Sequence, residues 1–371
     1  MNFSELGLNQ SIQKSLIDLN FLEPTPIQLK AIPYLLNSEE DLISLAQTGT
    51  GKTAAFGLPI IHKTKIENIN TQSLILCPTR ELCLQITKDL KSFSKYAKDL
   101  YITSIYGGAD IRKQIRELKM GSHIVVGTPG RVLDLLNKKK LDLKEINTLV
   151  LDEADEMLNM GFKEDIDLIL EGTNENKQIL LFSATMPKEV LKISKNYMKK
   201  PKRIEVGSKN EGAKDIEHNY YLVSNVRDKY QALRRICDIN PSIYGIVFCR
   251  TRRESKDISS KLLQDGYNAD SLNGDLSQSQ RDHVMGRFRK NQIQLLVATD
   301  VAARGLDVND LSHVINYNLP DDNQTYIHRS GRTGRAGKKG ISIIIGSNRD
   351  KRKISSLEKI INKEIINKEI P

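Results

Sequence analysis

The chain has 371 residues, of which 39% are apolar and 27% charged, with a formal net charge of +10. Such fractions belong to a folded chain rather than a disordered one, and the length favours two domains, each able to bury a core. No apolar run approaches the roughly 18 residues of a membrane helix, and MNFSELGLNQ lacks the basic start and apolar core of a signal peptide, so a cytoplasmic location is expected.

In chain order one grammar repeats: an apolar run, then polar or glycine-bearing residues, then a helical pattern. DLISLA leads to a glycine loop, SLILC to PTREL, HIVVG to TPGR, NTLVL to DEAD and QILLF to SAT. It resumes with GIVFC before RTR, QLLVA before TDVAARGLD, HVINY before NLPDD, and finally ISIIIG. Apolar runs alternating with helices predict parallel strands buried on both faces, and ligands in such open sheets bind beyond the carboxyl ends of the strands.

The fold class expected is therefore α/β, with a mostly parallel sheet in each of two domains. The polar stretch around 207–215 is the predicted linker, giving domains 1–206 and 216–371. Apolar stripes at helical spacing mark core faces: Leu82, Ile86, Leu90 and Phe93; Ile111, Ile115 and Leu118; Ile258 with Leu262; Val284 with Phe288. Ile354, Leu357, Ile361 and Ile365 predict a packed helix in the closing segment. Cys77, Cys83, Cys237 and Cys249 have no metal-ligand spacing and read as reduced thiols, at least two of them inside strands.

Three groups of residues carry chemistry. Ala46-Gln47-Thr48-Gly49-Thr50-Gly51-Lys52-Thr53 is a phosphate loop with alanine at its first glycine position. Its glycines let backbone approach phosphate oxygens at a helix start, Lys52 suits the β/γ-phosphates, and Thr53 suits Mg²⁺. Asp152 and Glu153 end a buried strand, where carboxylates need a cation or a reacting water; Asp152 suits Mg²⁺ and Glu153 a water-activating base. Arg332 and Arg335 lie in a glycine-spaced run of the second domain, which has no phosphate loop of its own, so they suit the first domain's nucleotide.

With these motifs in this order, from Phe3 to about residue 346, the chain resembles a DEAD-box ATP-dependent RNA helicase, specifically a bacterial-type minimal core of two tandem RecA-like domains. The resemblance implies ATP and Mg²⁺ as cofactors. It implies that Phe3, Phe21 and Gln28 read adenine, that Ser183 and Thr185 couple hydrolysis to unwinding, and that Gly305 and Asp307 contact the nucleotide. It also implies that Arg304 and His328 bridge the two domains through the acidic motif.

The resemblance further implies RNA contacts. In the first domain these are Pro78, Thr79, Arg80, Gly107, Gly108, Thr128, Pro129 and Arg131. In the second they are Arg250, Thr251, Gly274, Asp275, Gln278, Arg281 and Thr299. Hydroxyls, small residues, helix starts and arginines suit phosphates and 2′-hydroxyls rather than base edges. With no tryptophan and 5% aromatic residues, backbone recognition of single-stranded or duplex RNA, without strong sequence preference, is expected. Asn273 and Ser330 depart from the residues usual in the family's motifs and bear on RNA geometry, not on ATP turnover.

The expected activity is RNA-stimulated ATP hydrolysis that opens and closes two lobes, prising short duplexes apart or stripping bound protein. The alternative is an ATP-gated RNA clamp with slow turnover. Nothing in the sequence demands more than a monomer, and no membrane is expected as a partner.

Overall fold

A computed structural model describes residues 2–46, 49–206, 215–303, 308, 311–334 and 339–371. The chain divides into two compact units, Met1–Val206 and Gly207–Pro371. The first carries strands β1 (Leu42–Leu45), β2 (Ser73–Leu76), β3 (Ile102–Ile105), β4 (Ile124–Gly127), β5 (Thr148–Asp152), β6 (Gln178–Ser183) and β7 (Lys202–Glu205). The second carries β8 (Ile216–Val223), β9 (Gly245–Cys249), β10 (Ala269–Leu272), β11 (Leu295–Thr299), β12 (His313–Asn316), β13 (Gly340–Ser347) and β14 (Ile366–Lys368).

The sheet orders are β3-β4-β2-β5-β6-β1-β7 and β10-β11-β9-β12-β13-β8-β14, one order repeated seven strands later. Among the described residues every strand pairing is parallel, as in β1–β6, β2–β5 and β9–β12. Parallel strands need crossover connections, and the intervening helices supply them.

Alternation explains why continuous apolar runs make these strands. In β2, Leu74 and Leu76 enter one core of the first unit while Ile75 enters the other. In β9, Ile246 and Phe248 face one core of the second unit, and Val247 and Cys249 the other. Helices cover both faces, so no strand residue in the middle of these sheets has a wet side.

The nine expected runs are β1, β2, β4, β5, β6, β9, β11, β12 and β13. The remaining strands gave weaker signals. β7 has a single buried residue, β14 has none, and β10 reads Ala-Asp-Ser-Leu. The stripes on Arg80–Phe93, Arg252–Gln264 and Gln278–Arg289 are buried as expected. On Ile111–Lys119 the stripe is only half-buried, and Gln114 is the buried residue, its amide donating to the Tyr106 carbonyl.

Two expectations are corrected. The closing helix ends at Ile361, because Asn362 turns left-handed at φ 50°; Ile366–Lys368 then pairs with β8. Ile365 is buried, but from the connection rather than from a fourth helical turn. Of the cysteines only Cys249 lies within a strand; Cys77 follows β2, and Cys83 and Cys237 are on helices. All four are buried free thiols.

Candidate nucleotide and RNA site

Strands β5, β6 and β1 are neighbours, and their carboxyl ends carry the acidic motif, Ser183-Ala184-Thr185 and the phosphate loop. Strands β3, β4 and β2 are the other neighbours, and their ends carry Gly107-Gly108, Thr128-Pro129 and Pro78-Thr79. One half of the sheet edge thus carries the nucleotide candidates and the other half the RNA candidates. The division follows from strand order alone.

The phosphate loop leaves β1 through Ala46, which is buried, and enters the helix Lys52–Lys63 through Gly51. Gly49 and Gly51 have φ 83° and 87°, a region costly to residues with a Cβ. Gly51 is also held closely from outside. Gln28 Nε2 donates to its carbonyl at 3.0 Å, and a Cβ there would lie 2.4 Å from that nitrogen. Gln28 Oε1 in turn accepts from Thr25 N, and Thr25 Oγ1 donates to the Thr50 carbonyl at 2.8 Å.

Lys52 is buried, and among the described residues its Nζ has no hydrogen-bond partner. A buried ammonium without a partner is costly unless an anion completes it. Thr53 is half-buried on the same first turn. Asp152 is 3% exposed; burial pushes its carboxyl up to about 6, against the pull of the Lys52 ammonium. Bound cation and phosphate would answer both groups, so the residues present fit ATP with Mg²⁺. Gln47 and Thr48 lie outside the described residues.

Glu153 is buried and stands at φ 51°, ψ 50°. Asn20, Asn291 and Asn362 also hold positive φ, as asparagine does cheaply, but a buried glutamate there is strained. Its N–H donates to Asp152 Oδ1 at 3.0 Å, which ties the two carboxylates into one turn. Asp155 accepts from both Thr185 N (3.0 Å) and Thr185 Oγ1 (2.7 Å). Ser183 Oγ is buried and has no partner among the described residues.

Phe21 is 37% exposed, with its edge on Phe93 (centroids 5.7 Å apart) and Phe3 behind it at 6.0 Å. Phe3 is 5% exposed, so Phe21 presents the open aromatic surface and Phe3 backs it.

Among the RNA candidates of the first unit, Thr79 caps the helix Arg80–Phe93, and Arg80 lies over the Tyr106 ring. Pro129 opens the helix Pro129–Asn137 with Thr128 as its N-cap. Arg131 donates to Gln114 Oε1 at 2.8 Å. Gly108 has φ 76°, and a Cβ on Gly107 would meet nothing within 4 Å.

The second unit repeats the division. Arg250-Thr251, Gly274-Asp275 and Thr299 sit at the ends of β9, β10 and β11, which are neighbours. Asp275 binds Arg252 and Lys256, which hold its carboxyl below the usual range. Gln278 opens the helix Gln278–Arg289, on which Arg281 donates to the Ala302 carbonyl. The helix Asn323–Ser330 carries His328, and Arg332 follows its end, half-buried. Arg304, Gly305, Asp307 and Arg335 lie outside the described residues.

Several bonded groups at the site carry no obvious signal in the sequence taken residue by residue. Thr25 forms a capping box with Gln28, whose Thr-x-x-Gln spacing was readable. Asp155 and Arg329 stood inside quoted motifs, but their partners, Thr185 and Asp300, are 30 and 29 residues away.

The model of the DEAD/DEAH box helicase family matches residues 25–193, and that of the helicase conserved C-terminal domain matches 228–337. The DEAD-box ATP-dependent RNA helicase CshA of Bacillus cereus is 45% identical over 369 residues, which are all of this chain and 70% of that protein. The chain belongs to the DEAD-box ATP-dependent RNA helicase family. By family it is an RNA-dependent ATP hydrolase built from two tandem RecA-like domains. CshA of Listeria monocytogenes is 48% identical over 341 residues, 92% of this chain and 65% of that protein.

Among solved structures, S. cerevisiae Dbp5 bound to RNA and ADP BeF3 matches this helicase with a TM-score of 0.91, at 32% identity over 100% of this chain and 96% of that one. A DEAD box protein from the hyperthermophile Methanococcus jannaschii is 45% identical over 99% of both chains, with a TM-score of 0.57. No helix among the described residues is long and apolar enough to cross a membrane.

Proposed function

We propose that this helicase hydrolyses ATP in its first unit when RNA is engaged by both units, and that the cycle opens short RNA duplexes or strips protein from RNA. The observation that carries the reading is the buried Lys52 ammonium, without a hydrogen-bond partner among the described residues, together with the buried Asp152 carboxyl, after β1 and at the end of β5, the two strands that flank β6. Solved relatives support it: Dbp5 was captured with RNA and ADP BeF3, and Mss116p with single-stranded RNA and AMP-PNP.

Lys52 neutralises the outer phosphates, and the amides of the loop that Gly49 and Gly51 shape cradle them. Thr53 and Asp152 would hold magnesium, which would supply charge neutralisation to the phosphates. Glu153, held in its strained turn, aims the attacking water and accepts its proton. Phe21 and Gln28 face the adenine. Arg332, with Arg335, acts from the second unit on the developing charge; such arginines are worth roughly 10³–10⁵ in rate. The chain works as a cytoplasmic monomer, with 207–215 as its linker.

RNA is held through phosphates and 2′-hydroxyls by the strand-end elements of both units, hence without strong sequence preference. Base-pair steps cost on the order of 1–2 kcal/mol, so bending one strand suffices to release a short duplex. The test is ATP turnover with RNA, with DNA and with neither, alongside Glu153→Gln. RNA should stimulate turnover strongly and DNA weakly, and the variant should lose turnover while still binding ATP and RNA. Turnover indifferent to RNA, or equal with DNA, would overturn the reading.

A further inference from the structure

One densely bonded charged group of the second unit is not used by the proposed reaction. Arg329, on the helix Asn323–Ser330, is 3% exposed. Its Nε and Nη2 fork onto Asp300 at 2.6 and 2.7 Å. Nη1 donates to Asn316 Oδ1 at 3.0 Å and to the Asn318 carbonyl at 2.7 Å. The guanidinium also lies 4.8 Å from the centre of the Phe248 ring. Four donated bonds and a stacked face use nearly all that an arginine offers.

The partners are not random core groups. Asp300 follows Thr299 at the end of β11, and Asn316 ends β12. Phe248 is the penultimate residue of β9. Asn318 reaches further: its Oδ1 accepts from Arg250 N at 3.0 Å, and Glu254, bonded to the Asn318 amide, accepts from the same N–H. One side chain therefore fastens the ends of three adjacent strands, two of which present the RNA candidates Arg250 and Thr299. At the other end of the same residue, the Arg329 carbonyl accepts from Arg332 N at 3.1 Å, closing the turn that carries the nucleotide-directed arginine.

We infer that Arg329 is a positioning residue that holds the RNA-contacting strand ends and Arg332 in one rigid frame, so that RNA seated on Arg250 and Thr299 fixes where Arg332 meets the nucleotide. The inference rests on the function proposed above and adds the element that couples its two halves. Burial of the guanidinium fits the role, because a solvated arginine would be too loose to transmit position, whereas a buried, forked guanidinium has a single geometry.

The experiment is steady-state ATP turnover as a function of RNA and of ATP for Arg329→Lys, Asp300→Asn and the double variant, well below melting and with folding checked by circular dichroism. Lysine keeps the charge but cannot make the fork and both asparagine bonds together. Arg329→Lys should lower kcat at saturating RNA at least tenfold and raise the RNA concentration for half-stimulation, while KM for ATP stays within about twofold, ATP being held by the first unit. Asp300→Asn should shift in the same direction, and the double variant should be no worse than Arg329→Lys, since the pair acts as one unit.

Unchanged RNA response in folded variants, with only a lower melting temperature, would make Arg329 a structural rivet and overturn the inference. So would single-variant effects that multiply in the double. If Arg329→Lys does not fold, Asp300→Asn decides alone, because its side chain is 32% exposed and water can take up the freed bonds. Wild-type turnover without RNA stimulation would instead strike the proposed function itself.

Discussion

Asp155 accepts two hydrogen bonds from Thr185, one from its N–H and one from its hydroxyl, and so joins the helix Ala154–Asn159 after β5 to the loop after β6. The acidic motif and Ser183-Ala184-Thr185 are thus one piece, and a change felt at Glu153 reaches Thr185 through a single turn of chain. Thr185→Val keeps the shape and removes one charge-assisted bond, worth about 1.5–3 kcal/mol. Strand release should fall at least tenfold more than ATP turnover, measured on one preparation with a short labelled duplex. Equal losses in both would show that the bond serves hydrolysis alone.

Glu153 holds a left-handed backbone, and among the described non-glycine residues with positive φ it alone is buried. The strain is of order 1–3 kcal/mol. Glu153→Asn should therefore melt no lower than wild type while ATP turnover drops by about 10²–10⁴, the range for loss of a general base. Calorimetry and a phosphate-release assay read the two effects separately.

Gly51 is needed on two counts, its φ of 87° and the Gln28 amide 2.4 Å from where a Cβ would sit. Gly51→Ala must push Gln28 off the loop or twist the loop itself. The expected outcome is at least a tenfold rise in KM for ATP, with RNA affinity in the absence of nucleotide unchanged, both by titration.

His218 sits beneath the arginine-bearing helix, bonded through Nδ1 to Tyr326 Oη at 2.8 Å, with Ser342 on the same hydroxyl. Burial, assisted by the Lys363 ammonium, pushes its pKa down to about 4. Unfolded histidine, near 6.5, binds a proton that the folded chain refuses. Stability from this group is complete above pH 6.5 and is lost as pH falls through 4, by on the order of 3 kcal/mol at most. His218→Gln should flatten the fall in melting temperature between pH 7 and pH 5.

The sheets and the nucleotide loop were legible because their signals are local. A run such as NTLVL ending in Asp152 announces both a buried strand and a carboxylate at its tip. What pairs with what was not legible. Lys52 reads as a phosphate ligand, but its burial without a partner among the described residues appears only in three dimensions. Asp300 reads as one more acid before a helix until Arg329 closes on it from 29 residues away. The closing segment misled for a physical reason: Ile365 continues the helical spacing of Ile361, yet Asn362 between them adopts φ 50° and ends the helix.

RNA held by phosphates must bind in a salt-dependent way. Each phosphate contact on single-stranded RNA contributes about 0.7 to the slope of log affinity against log salt. Arg250→Ala and Arg131→Ala should each reduce that slope by about one contact and weaken unrelated sequences alike. Fluorescence anisotropy on two RNAs of different sequence checks both statements, and sequence-selective loss would mean base-edge reading.

The most direct test of the account is release of a short RNA duplex in a single round of ATP binding and hydrolysis, comparing wild type with Arg332→Ala. Wild type should release the duplex when ATP is present. The variant should bind ATP and RNA but lose both release and hydrolysis. Tight ATP-dependent RNA binding by wild type, with slow turnover and no strand released, would contradict the account and make the protein an ATP-gated clamp.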